Sequence, residues 1–421
     1  MIDCTTTKTF KKALLSGESL VSRFTSKKLR FETYHTVSEI PALTWNQFLH
    51  FQSVFLSLPY LQALESARNA MVDLRFATFY ENDQLIGISA FQITHFQASA
   101  INETLGQGSK WIRFLTSALS NEQSTQRVLI CGNAFATGEH AFQFAPHIKP
   151  KAAMDILCVA ITKIVDQEKK EGRQIAAMIV KDFYTQSQGL ADGLSRCGFR
   201  SFNVDHNMIM PILPEWTSFE LYLNDLNTKF RTKANAAFQR SSVLDIRAMD
   251  KTEIEKFKND IFKLYFGVHD KADYKLGVLN ADSFVNMKSC LDNEAVFNGY
   301  FLEGRLVGFS IALFSDQCMD AHLVGMDYEV NKELAIYSRI LYDYIALAIQ
   351  RKVQRIVFGR TAGEIKSTVG ALPVDLKCCI KHPGTISNWM VKLLFSYVKP
   401  SSFAQRHPYK KAVEERIHSM V

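Results

Sequence analysis

Residues 80–90 read Tyr-Glu-Asn-Asp-Gln-Leu-Ile-Gly-Ile-Ser-Ala, and residues 301–311 read Phe-Leu-Glu-Gly-Arg-Leu-Val-Gly-Phe-Ser-Ile. In each stretch, two turn-forming residues, Asn82-Asp83 or Glu303-Gly304, stand between apolar runs. A two-residue polar turn flanked by apolar residues is typical of a tight β-hairpin. The sequence therefore predicts the same hairpin twice.

The residues after each hairpin repeat one order of predicted elements. In the first half, the apolar pattern predicts a helix over residues 152–171 and a strand over residues 175–180. In the second half it predicts a helix over 333–351 and a strand over 355–358. The connection is longer in the first half and contains the Gly-rich residues 131–140. The repeat predicts an α/β fold with mixed sheets, built from two tandem units.

Charge is concentrated at the two ends of the chain. The formal net charge is +7, and residues 1–30 hold seven basic and two acidic side chains. Residues 401–421 hold four basic and two acidic ones, so residues 31–400 are neutral. A neutral body lacks a basic stripe for phosphates, which argues against a binder of duplex nucleic acid. We expect a basic N-terminal segment (1–30), a first domain (31–213), a second domain with the functional site (214–400) and a basic tail (401–421).

The composition favours a cytoplasmic protein without a metal site. The eight cysteines include no CxxC pair and no pairing with histidine at zinc spacing, so reduced thiols are expected. No apolar run approaches the roughly 20 residues of a membrane-spanning helix. Residues 386–397 have an apolar face at helical spacing, which fits a docked helix or peripheral contact with a membrane carrying a lipid-linked substrate.

Two segments of the second half resemble a known family. Residues 320–329 read Asp-Ala-His-Leu-Val-Gly-Met-Asp-Tyr-Glu, and residues 356–370 read Ile-Val-Phe-Gly-Arg-Thr-Ala-Gly-Glu-Ile-Lys-Ser-Thr-Val-Gly. With the helix between them, they are similar to the central strand, helix and following strand of the FemABX aminoacyl transferases and their GNAT-type relatives. By element order the resemblance covers residues 31–400. It implies two tandem GNAT-like acyltransferase domains.

The resemblance also implies an activity and a donor site. The activity would be transfer of an acyl group to an amine or hydroxyl of a small-molecule or cell-envelope-precursor acceptor. The donor, acetyl-CoA or another acyl-CoA, would lie along the central strand at Leu323 and Val324, with Lys332 close to its phosphates. The Gly-rich pyrophosphate loop of GNAT enzymes is missing, because residues 329–335 contain no glycine.

A base is needed to take a proton from the attacking acceptor. Alternation along residues 319–325 places Asp320 and His322 on one strand face. Since an ordinary imidazole titrates near neutral pH, we expect His322 to be the base and Asp320 to orient it. A solvated strand face would explain the same alternation.

Further polar residues follow the next predicted strand. Loops at the carboxyl ends of strands bind ligands in α/β folds, so this loop is expected to contact substrate. The Gly-rich residues 131–140 are expected to form a turn rather than a site. The pair His269-Asp270 is expected to end a helix. The predicted substrate contacts are Tyr328, Arg360, Thr361, Glu364, Lys366 and Ser367.

Two alternatives remain beside the acyl-CoA enzyme. The first keeps the fold and takes aminoacyl-tRNA as donor, although the sequence contains no heptad hairpin of the kind that FemABX enzymes often insert. The second is a non-catalytic protein that keeps the fold and binds a nucleotide-like ligand. The glycine-free segment 329–335 favours the second.

Overall fold

The computed structural model describes residues 29–49, 53–67, 72–97, 125–271, 277–384 and 401–420. The basic segment 1–30 lies almost entirely outside the described residues. The predicted amphipathic stretch 386–397 lies wholly outside them.

Thirteen strands of the described chain form one continuous mixed sheet. The spatial order is β1-β2-β3-β4-β6-β13-β7-β12-β11-β10-β9-β8, and β5 pairs with β3. The strands are β1 (Leu29–Tyr34), β2 (Val72–Glu81), β3 (Gln84–Gln97), β4 (Thr125–Cys131), β5 (Phe142–Phe144), β6 (Ala177–Tyr184), β7 (Arg200–Pro211), β8 (Asp245–Ala248), β9 (Ala295–Leu302), β10 (Arg305–Ser315), β11 (Cys318–Met326), β12 (Arg355–Gly359) and β13 (Leu372–Lys381).

Helices pack on this sheet, and within the described ranges none is long and apolar enough to cross a membrane. They are α1 (Ala42–Phe48), α2 (Leu58–Ser66), α3 (Pro150–Lys170), α4 (Gln188–Ser195), α5 (Phe219–Asp225), α6 (Thr228–Arg240), α7 (Lys251–His269), α8 (Ala281–Leu291), α9 (Tyr328–Leu334), α10 (Ile336–Gln350), α11 (Gly363–Thr368) and α12 (Lys411–His418).

The two halves exchange their last strands. The final strand β13 lies between β6 and β7 of the first half and runs antiparallel to both. Strand β7 lies between β13 and β12 and is antiparallel to β12. Within the described sheet, the parallel neighbours are β4 with β6 and β11 with β12. Each half therefore completes its sheet with a strand of the other, and the predicted mixed α/β fold is confirmed.

Both predicted hairpins form with the turns where the sequence places them. Asn82 and Asp83 have φ of 49° and 64°, and Glu303 and Gly304 have φ of 51° and 81°. Two successive residues with positive φ define a type I′ turn, whose twist matches that of paired strands. The hairpins are β2–β3 and β9–β10, at equivalent places in the two halves.

The helix that follows each hairpin is confirmed in outline. Helix α3 covers the range predicted in the first half. In the second half, the predicted helix over 333–351 is interrupted at Ala335, which has φ of 52°. A left-handed residue cannot continue an α-helix, so the chain forms α9 before Ala335 and α10 after it.

A shared core joins the halves. Trp45 and Tyr60 of the first half are fully buried in the same apolar cluster as Phe284 and Phe297 of the second. Burial of large side chains dominates the stability of a fold, so this cluster holds the halves together beside the common sheet.

The expectation that all cysteines are reduced is wrong for one pair. The structure joins Cys158 to Cys197 by a disulfide, with the two Cα atoms 6.4 Å apart. Cys158 lies in α3 and Cys197 follows α4, and these helices pack together. The pairing was missed because 39 residues separate the two cysteines and only tertiary packing brings them together.

Candidate active site

A cleft opens where the parallel strands β11 and β12 diverge. They pair only over residues 318–320 and 355–357, and beyond Asp320 the pairing of β11 continues with β10 alone. A register shift between Ile311 and Ala312 of β10 lies opposite the start of the opening. The cleft has a volume of about 570 Å³ and is lined by residues of both halves. Its charged and imidazole side chains are Lys181, Lys271, Arg360, Asp205, Asp320, Glu364, His206 and His322.

Asp320 and His322 both line the cleft, and so does Ala321, which the alternation placed on the other face; the register shift of β10 against β11 lies at this point. Asp320 is 6% exposed, and burial raises the pKa of its carboxyl to about 7 against a smaller opposite effect of Arg355. Burial lowers the pKa of His322 to about 3, with a further contribution from the His140 ring. Burial disfavours the charged form of either group, so it moves an acid and an imidazole in opposite directions.

The pKa values of the two residues differ from those that the expected roles assume. The carboxyl of Asp320 titrates near neutral pH, whereas the imidazole of His322 stays neutral there and is a weak base. Among the described residues, no hydrogen bond joins the two side chains, so Asp320 does not orient His322.

Aromatic rings surround His322. The Phe55 ring lies 5.3 Å from the His322 ring and 4.4 Å from the His140 ring, centroid to centroid. Tyr60 lies 6.1 Å from His322. The Nε2 atom of His322 is buried and has no hydrogen-bond partner in the part of the chain that the structure describes. A buried polar atom without a partner at a cleft wall can hydrogen-bond a ligand.

A buried ion pair between Asp182 and Arg360 joins the halves, and Arg360 lines the cleft. Asp182 of β6 is fully buried, with φ of 64° at a bulge opposite Cys378. Its carboxylate accepts hydrogen bonds from Arg360 Nη2, from the Gly138 backbone N–H at 3.1 Å and from the Cys378 thiol at 3.3 Å. The Arg360 guanidinium is thereby fixed against the cleft, with its Nε buried and unpartnered among the described residues.

The first half has an equivalent opening, and a lysine fills it. Strands β4 and β6 pair over residues 128–131 and 177–180. Beyond this point, Lys181 Nζ donates hydrogen bonds to the carbonyls of Asn133 at 2.6 Å and Ala136 at 3.1 Å. Burial lowers the pKa of Lys181 to about 7, and nearby Arg360 contributes. The ammonium group bridges the two diverging segments, and Lys181 and residues 134–137 line the cleft from the first half.

The predicted loop residues divide into two groups. Thr361 and Glu364 line the cleft with Arg360. Lys366 does not: its buried Nζ donates to the carbonyls of Phe358 at 2.6 Å and Gly359 at 3.3 Å, and burial lowers its pKa to about 7. Ser367 Oγ donates to the Glu364 carbonyl at 2.7 Å. Lys366 and Ser367 support the loop from beneath, where the sequence analysis had expected contact with substrate.

The predicted donor residues lie outside the cleft lining. Leu323 and Val324 are half-buried farther along β11, and Lys332 is exposed on α9. Tyr328 is connected to the cleft indirectly, because the ammonium of Lys271, a lining residue, lies 3.2 Å from the centroid of the Tyr328 ring.

The helix starts near Lys332 are already capped. Asp327 accepts a hydrogen bond from the Glu329 N–H at 3.0 Å at the start of α9. Asn331 Oδ1 accepts one from the Tyr337 N–H at 2.9 Å at the start of α10. A carboxylate cap and satisfied N–H groups do not favour a phosphate. Residues 329–335 therefore lack a Gly-rich phosphate loop in the sequence, and in the structure side chains cap the helix starts at which a phosphate would bind.

Several lining residues were missed by the sequence analysis. Residues 134–137 reach the cleft from the Gly-rich stretch that was expected to be only a turn. Phe55 and Lys271 come from segments without a motif, and Asp205 and His206 come from β7, one of the exchanged strands. Only the glycines at 132 and 138, both with φ of 130°, could have indicated an unusual loop.

Solved structures with this fold identify its class. A tandem GNAT protein from the clavulanic acid biosynthesis pathway aligns at a TM-score of 0.50 and 8% identity, over 85% of this chain and 99% of that chain. The fold is therefore the tandem GNAT-like fold, and the predicted architecture is confirmed. No protein-family model matches the sequence, and no curated protein does.

Two further structures align over most of their length. FemX has a TM-score of 0.48 at 10% identity, over 82% of this chain and 96% of that chain. The C-terminal domain of a putative lysylphosphatidylglycerol synthetase from Agrobacterium fabrum has a TM-score of 0.46 at 7% identity, over 86% and 98%.

The raised pKa of Asp320 predicts a stabilising substitution. Its folded-state pKa of about 7 lies above the ordinary value of 3.8, so the ionised carboxylate destabilises the fold as pH rises from about 4 to 7. Asp320→Asn should raise the free energy of unfolding at pH 8 by on the order of 1–4 kcal/mol. In urea titrations, this gain should shrink towards pH 4. The exposed Asp316→Asn is the control, and equal effects of both variants would contradict the assignment.

The Asp182–Arg360 pair predicts non-additive substitutions. Arg360→Ala removes one of the two cationic partners of the buried Asp182 carboxylate and leaves the Lys181 ammonium at 3.7 Å, so it should cost about 3–5 kcal/mol of stability. The double variant Arg360→Ala/Asp182→Asn should cost clearly less than the sum of the single variants. Arg305→Ala, which breaks an exposed pair with Asp327, should cost less than about 1 kcal/mol. Additive losses in denaturant unfolding would show that the buried pair is not coupled.

Proposed function

We propose that this protein is an acyltransferase that moves an acyl group, most simply acetyl from acetyl-CoA, to an amine or hydroxyl acceptor. One observation carries the proposal: the cleft lies where β11 leaves β12, with a carboxyl that titrates near pH 7 at the point of divergence. Among the described strands, none pairs with β11 on that side beyond Asp320, so backbone N–H groups there are available to the oxygen of a carbonyl group.

Asp320 acts as the general base in this proposal. A base is most effective when its pKa lies close to the working pH, and about 7 meets this condition. The ionised carboxylate takes a proton from the acceptor as the acceptor's nitrogen or oxygen attacks the acyl carbon. The bond from the acyl carbon to the donor sulfur breaks, and the sulfur leaves as a thiolate, which takes up a proton from the protonated Asp320 or from solvent. Neutral His322 contributes a ring nitrogen that can hydrogen-bond the reacting groups.

The acceptor carries an anionic group in this proposal. Arg360 and Lys271 line the cleft as cations, and the planar guanidinium suits a carboxylate or phosphate. Asp182 accepts a hydrogen bond from Nη2 of the Arg360 guanidinium, and Nε of Arg360 has no partner among the described residues. A cell-envelope precursor and a small anionic metabolite both present such groups. The carboxylates of Asp205 and Glu364 also line the cleft and suit the attacking amine.

A second candidate is a binding protein that keeps the fold without catalysis. The capped helix starts near Lys332 favour it, because they do not offer the usual support for the diphosphate of CoA. Thermal shift with CoA, acetyl-CoA, a long-chain acyl-CoA and charged tRNA separates the candidates, since a ligand that binds only the folded state raises the melting temperature. We expect an acyl-CoA donor to raise the melting temperature. A rise with charged tRNA and with none of the CoA compounds would support the FemABX-type alternative.

The activity should depend on the ionisation of Asp320. With an active donor, kcat should rise with pH around an apparent pKa of about 7, because the ionised carboxylate is the reactive form. Asp320→Asn should lower kcat by about 10²–10⁴-fold and leave the donor-induced thermal shift unchanged. A kcat within threefold of the wild type would remove Asp320 from the reaction.

His322→Ala is the matched comparison. Because the pKa of His322 is about 3, removing the ring should leave the midpoint of the pH profile in place while lowering kcat. If His322→Ala instead removes the pH dependence, the imidazole is the base and the assignment of Asp320 is wrong.

A further inference from the structure

Three potential metal ligands meet at the C-terminal end of the chain. They are His407, which precedes α12, and Glu414 and His418 within it. One ligand atom from each lies within 4.8 Å of the other two. Glu414 and His418 are four residues apart on a helix, so their side chains lie on the same face. Such donors could converge on one ion after small side-chain movements.

The hydrogen bonds of His418 determine which of its ring nitrogens carries a proton and which has a lone pair for a cation. His418 Nδ1 lies 2.8 Å from the backbone carbonyl of Glu414, and a carbonyl can only accept, so this nitrogen carries the proton. The lone pair of the neutral ring is then on Nε2. A histidine that donates one ring N–H to a carbonyl and binds metal through the other nitrogen is a common arrangement. His418 Nδ1 also lies 3.8 Å from Glu414 Oε1, so the His418 side chain would rotate to place Nε2 on the ion.

The carboxylate of Glu414 also has unused capacity. One oxygen, Oε1, lies 2.9 Å from His407 Nδ1. The other, Oε2, is buried and has no hydrogen-bond partner in the described parts of the chain. An ion pair between His407 and Glu414 alone would leave this buried oxygen unsatisfied, which is unfavourable. A cation bound at the cluster would satisfy it.

We propose that His407, Glu414 and His418 bind a divalent transition-metal ion such as Zn²⁺. Two imidazole nitrogens and a carboxylate oxygen are ligands that this ion accepts, with water completing the coordination. The sequence analysis had expected no metal, because the cluster contains no cysteine and its ligands are separated by six and three residues.

The position of the cluster gives the ion a structural role. Just before His407, Ser401 and Phe403 line the cleft described above. Arg406 N–H donates to Ser367 Oγ at 3.0 Å, beneath the Arg360 loop. The helix α12 is anchored in the core through Val413 and Ile417. The ion would therefore tie the cleft-lining segment to a fixed helix. This inference does not depend on which reaction the cleft supports.

The experiment titrates Zn²⁺ into the full-length protein after treatment with a chelator, with calorimetry as the readout and Co²⁺ absorption as a second measurement. One equivalent should bind. Glu414→Gln and His418→Ala should each weaken binding by about 10–100-fold. His147→Ala, at an exposed loop histidine, is the control and should bind as the wild type does.

The melting temperatures of the metal-free variants show whether each variant is folded. A tetrahedral Co²⁺ spectrum lost in Glu414→Gln but kept in His147→Ala would support the site. No stoichiometric uptake by the wild type would overturn the proposal. Equal uptake by folded Glu414→Gln and His418→Ala variants would also overturn it and leave the cluster as a surface ion pair.

Discussion

The exchange of β7 and β13 is the constraint on which the rest of the structure depends. Because each half completes its sheet with the other's last strand, neither half has a free sheet edge at the junction. The exchange also brings β6 and β12 to either side of the same strand pair. Asp182 lies at the bulge of β6 opposite β13, and Arg360 follows the last residue of β12 that pairs with β7, so the buried ion pair between them depends on this strand order.

The two halves share an architecture and differ in how they use it. In each, a parallel strand pair diverges after a few residues. In the first half, Lys181 bridges the opening with two hydrogen bonds to backbone carbonyls. In the second, the residue of β12 that corresponds to Lys181 is Phe358, and Asp320 is the last residue of β11 that pairs with β12. The Asp320 carboxyl is buried, and its ionised form destabilises the fold. A group that costs stability at a cleft wall is typical of a functional site, and this difference explains why the chain has its cleft in the second half.

The elements that depend on local sequence were predictable, and those that depend on packing were not. Asn82-Asp83 and Glu303-Gly304 determine their turns locally, and the apolar period of α3 is visible in the sequence. No local sequence pattern indicates that β13 pairs with β6, or that Cys158 lies beside Cys197. Strand alternation selected Asp320 and His322, but it carries no information on burial, a tertiary property that moves their pKa values in opposite directions. Lys366 was expected to face a ligand, since sequence does not distinguish a lysine that binds an anion from one that holds carbonyls.

The central claim is that one composite site lies at the divergence of β11 and β12 and includes residues of both halves. The most direct measurement is a crystal structure with a non-transferable acyl-CoA analogue. We expect the acyl carbonyl beside Asp320 and His322, with residues 134–137 of the first half closing the cleft and Lys181 still bridging its own opening. An analogue bound between β4 and β6, with Lys181 displaced, would contradict the account.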